Sequence, residues 1–356
     1  MNRIALLGAG KIGSALAALL GATREYRLTV VERDAARLEP LSVAGLDTCA
    51  LDVTAPGALE KALQGHDIVL SAFPYYLSAA VAEAARNAGA HYFDLTEDVE
   101  STRHIRRLAQ DAPTAFAPQC GLAPGFVSIV AHDLAQRFDT VRDVSMRVGA
   151  LPVYPTNALG YNLTWSTDGL INEYCNPCEA IIDGRYRETL PLEEVEQFSL
   201  DGVGYEAFNT SGGLGTLCET LAGRVENLNY KTVRYPGHCS AMKLLIRDLR
   251  LGERRALLKD VLEAAVPITW QDVVLIFVTA SGRRHGQLVQ ETYAKKIYGQ
   301  TVDGQQLSAI QLTTAAGVCT MVDLLMAGRL PRQGFVRQED ARLDDFLGNR
   351  FGRYFR

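Results

Sequence analysis

Gly8-Ala9-Gly10-Lys11-Ile12-Gly13 places its glycines where a turn can present bare backbone to a phosphate. Gly8 suits the tight turn. Gly10 lets the backbone approach a pyrophosphate, and Gly13 lets the next helix pack close to the preceding strand. A helix opening at Lys11 and Ile12 offers unpaired N–H groups and a partial positive charge to that phosphate. Glycines in this spacing are also ordinary turns. Here an apolar run at residues 3–7 precedes them and an Ala- and Leu-rich stretch follows, the context a dinucleotide site requires. Glu32 ends the second apolar run at the spacing of a carboxylate that holds both adenosine ribose hydroxyls and repels a 2′-phosphate. Arg33 beside it can instead pair with such a phosphate, so NAD is the expected cofactor and NADP the alternative. Asp52 and Val53, after the third run, are placed to border the adenine. Ala72, Phe73 and Pro74, after the fourth, are placed to border the nicotinamide side.

The elements that must hold these residues alternate. Short apolar strands are expected at 3–7, 28–31, 48–53, 68–73, 91–95 and 114–118. Helices are expected between them at 11–20, 34–41, 58–63, 78–87 and 99–111. This is βαβ spacing, and it specifies α/β: a Rossmann-type doubly wound parallel sheet over residues 1–124. A long helix is expected at 124–138. Strands with one wet face follow at 145–150, 180–182, 271–280 and 287–298, giving a second α+β domain with a mixed or antiparallel sheet over 125–305. Residues 306–356 form a C-terminal segment returning to the Rossmann domain, with a helix at 312–327 stopped by Gly328.

Composition narrows the class. The 356 residues are 47% hydrophobic and carry a formal charge of −5, with no run of Lys or Arg. That argues against nucleic acid or an anionic membrane surface as partner. The first apolar run is too short for a secretory signal, and no run of 18 apolar residues appears, so a cytoplasmic protein is expected. The seven cysteines are scattered. Cys175-Asn176-Pro177-Cys178 lacks the second pair or nearby histidines of a zinc site, so no metal is expected and the pair reads as two packed thiols.

Several segments together are more particular than the glycine turn. They are Phe93-Asp94-Leu95-Thr96-Glu97, Gly121-Leu122-Ala123-Pro124-Gly125, Trp165-Ser166 with Leu170-Ile171-Asn172-Glu173-Tyr174, Arg234-Tyr235-Pro236-Gly237-His238, and Gln338-Glu339. With them the chain resembles the saccharopine dehydrogenase family over nearly its whole length, and within it most the lysine 6-dehydrogenases. Ala123 stands where saccharopine-splitting relatives tend to carry Asp. The resemblance implies oxidation at an amine-bearing carbon. For L-lysine that is hydride transfer from Cε to NAD, then release of ammonia and 2-aminoadipate 6-semialdehyde, which cyclises. It also implies a homodimer built through the second domain. Reductive amine–carbonyl joining, as in saccharopine reductase or carboxynorspermidine synthase, is the alternative. A non-catalytic NAD-binding sensor is a third reading, disfavoured by the retained Arg-Tyr-Pro-Gly-His run.

Such chemistry needs a neutral amine, an acid–base group and a cation for the α-carboxylate. Asp94, Glu97 and Asp98 stand at the end of the fifth strand, where ligands bind in such sheets. Glu97 and Asp98 serve equally as helix caps. Arg234 is the candidate carboxylate clamp and His238 a candidate acid–base group, against a surface Arg and a structural His. Tyr76, Thr96, Gly121, Pro124, Gly125 and Asn162 are candidate substrate contacts. Tyr75, Trp165 and Ser166 are weaker candidates, and His132 reads as core packing.

Overall fold

The computed structural model describes residues 1–302 and 304–356, which divide into two compact units. The first comprises residues 1–125, 301–307 and 311–356; the second comprises 126–300 and 308–310.

In the first unit the strands are β1 (Asn2–Leu7), β2 (Tyr26–Glu32), β3 (Asp47–Ala50), β4 (Ile68–Ser71), β5 (His91–Asp94) and β6 (Ala115–Ala117). The helices between them are α1 (Lys11–Thr23), α2 (Ala35–Val43), α3 (Ala58–Leu63), α4 (Ser78–Ala88) and α5 (Val99–Ala109). The sheet runs β6-β5-β4-β1-β2-β3, all parallel. Ile4 to Leu7 and Ile68 to Leu70 have no solvent exposure, which is why they read as unbroken apolar runs. The strand order reverses between β1 and β4, so their carboxyl ends flank the switch point where such sheets hold ligands.

A seventh strand, Gly334–Phe335, extends this sheet beyond β6. It was not expected, because two residues carry no period. One helix, Ala309–Met326, is long and apolar enough on length and composition to cross a membrane, yet 83% of it is buried inside the protein. It is a core helix. A Cβ at Gly317 would lie 2.8 Å from the carbonyl oxygens of Cys120 and Gly121, so only glycine allows this approach to the loop after β6.

The second unit contains α6 (Phe126–Ala135), β7 (Thr140–Pro152), α7 (Thr167–Cys175), β8 (Cys178–Ile182), β9 (Arg185–Thr189), β10 (Glu196–Leu200), β11 (Val203–Asn209), α8 (Leu217–Thr220), β12 (Asn227–Arg234), α9 (His238–Lys243), α10 (Arg255–Ala265), β13 (Asp272–Arg284) and β14 (Gln287–Tyr298). Its sheet runs β10-β11-β12-β7-β13-β14, with β8 on β12 and β9 on β8. Only the β12–β7 pair is parallel. The sheet is therefore mixed, as anticipated. Its detail differs from expectation. The helix placed at 124–138 starts only at Phe126, after Gly125 with φ +136°, and β7 is twice the length expected. β9 to β12 and α7 were not anticipated. β9 is almost entirely exposed and shows no inward face to reveal it.

Candidate active site

The glycine turn at the carboxyl end of β1 has the geometry its spacing implies. Gly8 adopts φ +99°, a conformation L side chains rarely take. A Cβ on Gly13 would fall 1.9 Å from the Gly8 carbonyl oxygen, so this position packs helix against turn. At Gly10 the nearest atom to an added Cβ is Arg37 Nη1 at 4.0 Å, leaving the open face a pyrophosphate needs. Gly10 is also the N-cap of α1 and supplies no side chain, so the amides of that first turn remain for a phosphate. The Gln311 amide donates to the Lys11 carbonyl at 2.9 Å and steadies this turn of helix; Lys11 and Ile12 are half-buried.

Glu32 is fixed at the same turn. Its Oε2 accepts from Ala9 N at 3.0 Å, and Oε1 accepts from Arg33 N at 2.8 Å and Asp34 N at 3.1 Å. Three amides thus hold the carboxylate and leave acceptor capacity on Oε2. The Arg33 side chain is exposed. Asp52 is exposed beyond β3, and hydrogen bonds from the Thr54 hydroxyl and amide hold its pKa below the usual carboxylate range. Val53 beside it is half-buried. At the end of β4, the Ala72 carbonyl oxygen and the Phe73 ring both lie 3.2 Å from where a Gly8 Cβ would stand. They wall the glycine turn. Pro74 and Tyr76 are exposed, Tyr76 on the single 3-10 turn Tyr75–Leu77.

Three carboxylates stand at or just after the end of β5, and each has a different fate. Asp94 is buried and fully engaged. It accepts from the Tyr92 hydroxyl at 2.7 Å, Thr96 N at 3.0 Å and Gln119 N at 2.9 Å, tying the ends of β5 and β6 together. Desolvation raises its pKa to about 6 against those hydrogen bonds. Asp98 caps α5 through Ser101 N at 2.8 Å, a contact worth about 1 kcal/mol. The buried Thr96 hydroxyl accepts from Asp98 N at 3.2 Å. Glu97 alone meets no other residue by hydrogen bond or ion pair among the described residues, its carboxyl accepting only from its own backbone amide. Desolvation, with Asp98 and Asp94 nearby, pushes its pKa up to about 7.

After β6 the loop Gly121 to Gly125 closes on itself. A Cβ at Gly125 would sit 2.0 Å from the Gly121 carbonyl oxygen, and the Ala123–Pro124 peptide is cis. Gln338 is buried and donates to the Pro118 carbonyl at 2.8 Å, which fixes the entry to this loop.

In the second unit, Arg234 ends β12 and His238 opens α9, joined by a turn in which Gly237 has φ +98°. Both side chains are buried, at 3% and 1% exposure. Arg234 Nε donates to the Tyr174 hydroxyl at 3.0 Å, and Nη1 donates to the Val233 carbonyl at 2.8 Å. Its guanidinium lies 5.1 Å from the centre of the Tyr161 ring. The His238 ring meets the Tyr174 hydroxyl through Nε2 at 3.0 Å and the Leu159 carbonyl through Nδ1 at 2.9 Å. Desolvation, then the Arg234 charge, push His238 down to about 3. Asn162 is also buried, and its Oδ1 has no partner among the described residues.

Sequence reasoning missed Tyr174, Tyr161 and Glu206. The buried Glu206 accepts from the backbone amides of Gly237 and Cys239 at 2.9 and 2.6 Å, and so anchors the start of α9. No spacing rule reveals a glutamate on one strand capping a helix thirty residues later. Ser166 proves to be the N-cap of α7, and His132 is half-exposed against Gln136 rather than in the core. Cys175 and Cys178 are free thiols whose pKa values burial raises.

The saccharopine dehydrogenase NADP binding domain matches residues 4–119, and the saccharopine dehydrogenase C-terminal domain matches residues 121–349. The chain belongs to the saccharopine dehydrogenase family. Like that family it is an oxidoreductase acting on a CH–NH group. A family member from Schizosaccharomyces pombe, named saccharopine dehydrogenase (NADP(+), L-glutamate-forming), is 26% identical over 304 residues, covering 82% of this chain and 67% of that protein. Alpha-aminoadipic semialdehyde synthase, mitochondrial, of Mus musculus is 21% identical over 334 residues, which are 87% of this chain but 34% of that protein. The solved apo saccharopine dehydrogenase (L-Glu forming) of Saccharomyces cerevisiae superposes with a TM-score of 0.79 at 18% identity, covering 99% of this chain and 98% of that one. That likeness shows the shared saccharopine dehydrogenase fold.

Proposed function

We propose that the chain oxidises an α-amino acid at a distal amine-bearing carbon, L-lysine at Cε, with NAD as acceptor, releasing ammonia and 2-aminoadipate 6-semialdehyde. Arg234 carries this reading. It is a buried guanidinium with no carboxylate at ion-pair distance among the described residues. Glu206 spends both oxygens on the α9 amides, and Glu173 acts on Arg234 only through its field. A buried, unpaired charge is costly. A substrate α-carboxylate supplies the missing counter-ion, and the outer N–H groups of Arg234 suit it.

The glycine turn, the first turn of α1 and Glu32 fit a dinucleotide, which when bound accepts the hydride. The remaining work falls to the chain. Glu97, with a pKa near 7, takes the proton that a lysine ammonium must lose and passes it to solvent; it then takes one from the water that attacks the imine and returns that proton to the departing ammonia. Asp94 and Asp98 hold the loop that carries it.

Mixing the protein with NAD and each amino acid or polyamine, and following NADH absorbance, tests the reading; lysine is expected to give signal. Arg234→Lys keeps the charge but loses a two-point contact. A charge-assisted hydrogen bond is worth about 1.5–3 kcal/mol, so the KM for the amino acid should rise about 10- to 150-fold with NAD affinity unchanged. Wild-type kinetics would make Arg234 purely structural.

The activities named for the relatives favour a second reading, NADP-dependent saccharopine cleavage. NADH or NADPH formed from saccharopine but not from lysine would decide for it. Glu32, held facing the turn, supports NAD: titration is expected to show NAD binding at least about tenfold tighter than NADP, the cost of one like-charge contact. Equal affinities would give the choice to Arg33. The resemblance to lysine 6-dehydrogenases further supports a homodimer, which light scattering would test.

A further inference from the structure

We infer that Tyr174 and His238 are positioning residues that hold Arg234 for the substrate carboxylate, and that His238 carries no proton in the reaction. This rests on the reading of Arg234 above.

The three side chains form one buried line of hydrogen bonds whose direction is fixed at both ends. The Leu159 carbonyl can only accept, so His238 Nδ1 bears the ring proton. In the neutral ring Nε2 is then an acceptor, and the Tyr174 hydroxyl must donate to it. The Tyr174 oxygen, having given its only proton, accepts from Arg234 Nε, which can only donate. Every hydrogen in this line is already donated inward, so His238 has no free nitrogen to offer a substrate. A second proton on His238 would face the Tyr174 hydroxyl hydrogen and stand near the Arg234 cation.

Packing leaves the rings no other position. The His238 ring stacks on Phe208, with centroids 6.2 Å apart and planes 11° apart, and meets Tyr161 and Tyr174 edge-on at 5.4 and 5.8 Å. Glu206 pins the backbone on either side of it. The titratable groups around it are therefore Arg234, Tyr161 and Tyr174, the Glu206 carboxylate and Cys239 thiol flanking its backbone, and Glu173 and Tyr230 beyond on the Arg234 side. Arg234 has its Nε and one Nη1 hydrogen committed inward. Nη2 and the other Nη1 hydrogen make no hydrogen bond among the described residues, and they are the pair that can meet a carboxylate end-on.

Two measurements test this. In protein labelled with 15N-histidine, His238 should show a neutral ring protonated at Nδ1 throughout about pH 6 to 9, the range where an ordinary histidine titrates. A ring that titrates there, or carries its proton on Nε2, overturns the inference. This readout needs no substrate, so it still decides if lysine and every other amino acid fail to be oxidised and the functional reading falls. Tyr174→Phe keeps the ring and removes both hydrogen bonds. Its KM for the amino acid should rise about tenfold, the loss of one hydrogen bond to a charged group, with kcat at saturation and the pH profile unchanged. An unchanged KM, or a fall in kcat with loss of a limb of the pH profile, overturns it. If that variant does not fold, the spectrum of the wild-type protein remains decisive.

Discussion

Gly10→Val will fold and will not bind the dinucleotide. Gly10 has φ −73° and ψ −164°, an extended conformation open to valine, so the backbone is not strained. The nearest atom to its Cβ is the end of a flexible arginine at 4.0 Å, so nothing in the fold must move. The branched side chain would occupy the space where the backbone has to approach the pyrophosphate. Losing those amide contacts and the helix N-terminus removes most of the phosphate affinity, and a drop of at least about 1000-fold in NAD binding is expected, about 4 kcal/mol. Calorimetric titration beside a thermal melt gives both readings at once. Wild-type affinity in a folded variant would remove the phosphate-binding role from this turn. Gly13→Ala is the contrasting case. Its Cβ would collide with the Gly8 carbonyl at 1.9 Å, so its melting temperature should fall as well.

Glu97→Gln should reduce kcat for amine oxidation by about 10²- to 10⁴-fold, the usual contribution of a positioned acid–base group. Its carboxyl is pushed up to about 7, chiefly by desolvation, so the base form gains as pH rises through that value. Oxidative kcat/KM in the unmodified protein should therefore climb through about pH 7 and continue upward as the free substrate amine, with pKa about 10.4, loses its own proton. The variant should lose the limb near 7 and keep the upper one. Unfolding would not explain the loss. The folded pKa is raised from 4.5 to about 7, so this group costs stability as pH rises between those values, the cost is complete above about 7, and the neutral amide should be at least as stable in alkali. A pH–rate profile retaining both limbs in the variant would place the base elsewhere.

Much of the first unit could be read from local pattern. β1 and β4 are buried on both faces over most of their length and so appear as short unbroken apolar runs, and α1 to α5 fill the intervals a parallel crossover needs. The second unit was less legible. β7 and β13 pair along their whole length, but β9 and β10 are short, largely wet on one or both faces, and acquire order only from their neighbours.

The residues after β5 show where local reading stops. Asp94, Glu97 and Asp98 are alike in sequence, and the spacing alone gave helix caps or acid–base groups for two of them. The fold assigns Asp98 to α5, spends Asp94 on two loop amides and the Tyr92 hydroxyl, and leaves Glu97 desolvated with only its own backbone amide to bond. Arg234 and His238 stand four residues apart, yet Tyr174, sixty residues before Arg234, joins them. The sequence by itself determined the glycine turn, the acidic residue on β2 and the parallel sheet, because backbone conformation and strand burial depend on neighbours along the chain. Only the tertiary structure decided which carboxylate is free to titrate and which cation is buried without a counter-ion. Desolvation and hydrogen-bond partnership depend on neighbours in space, and those come from segments that share no period or spacing.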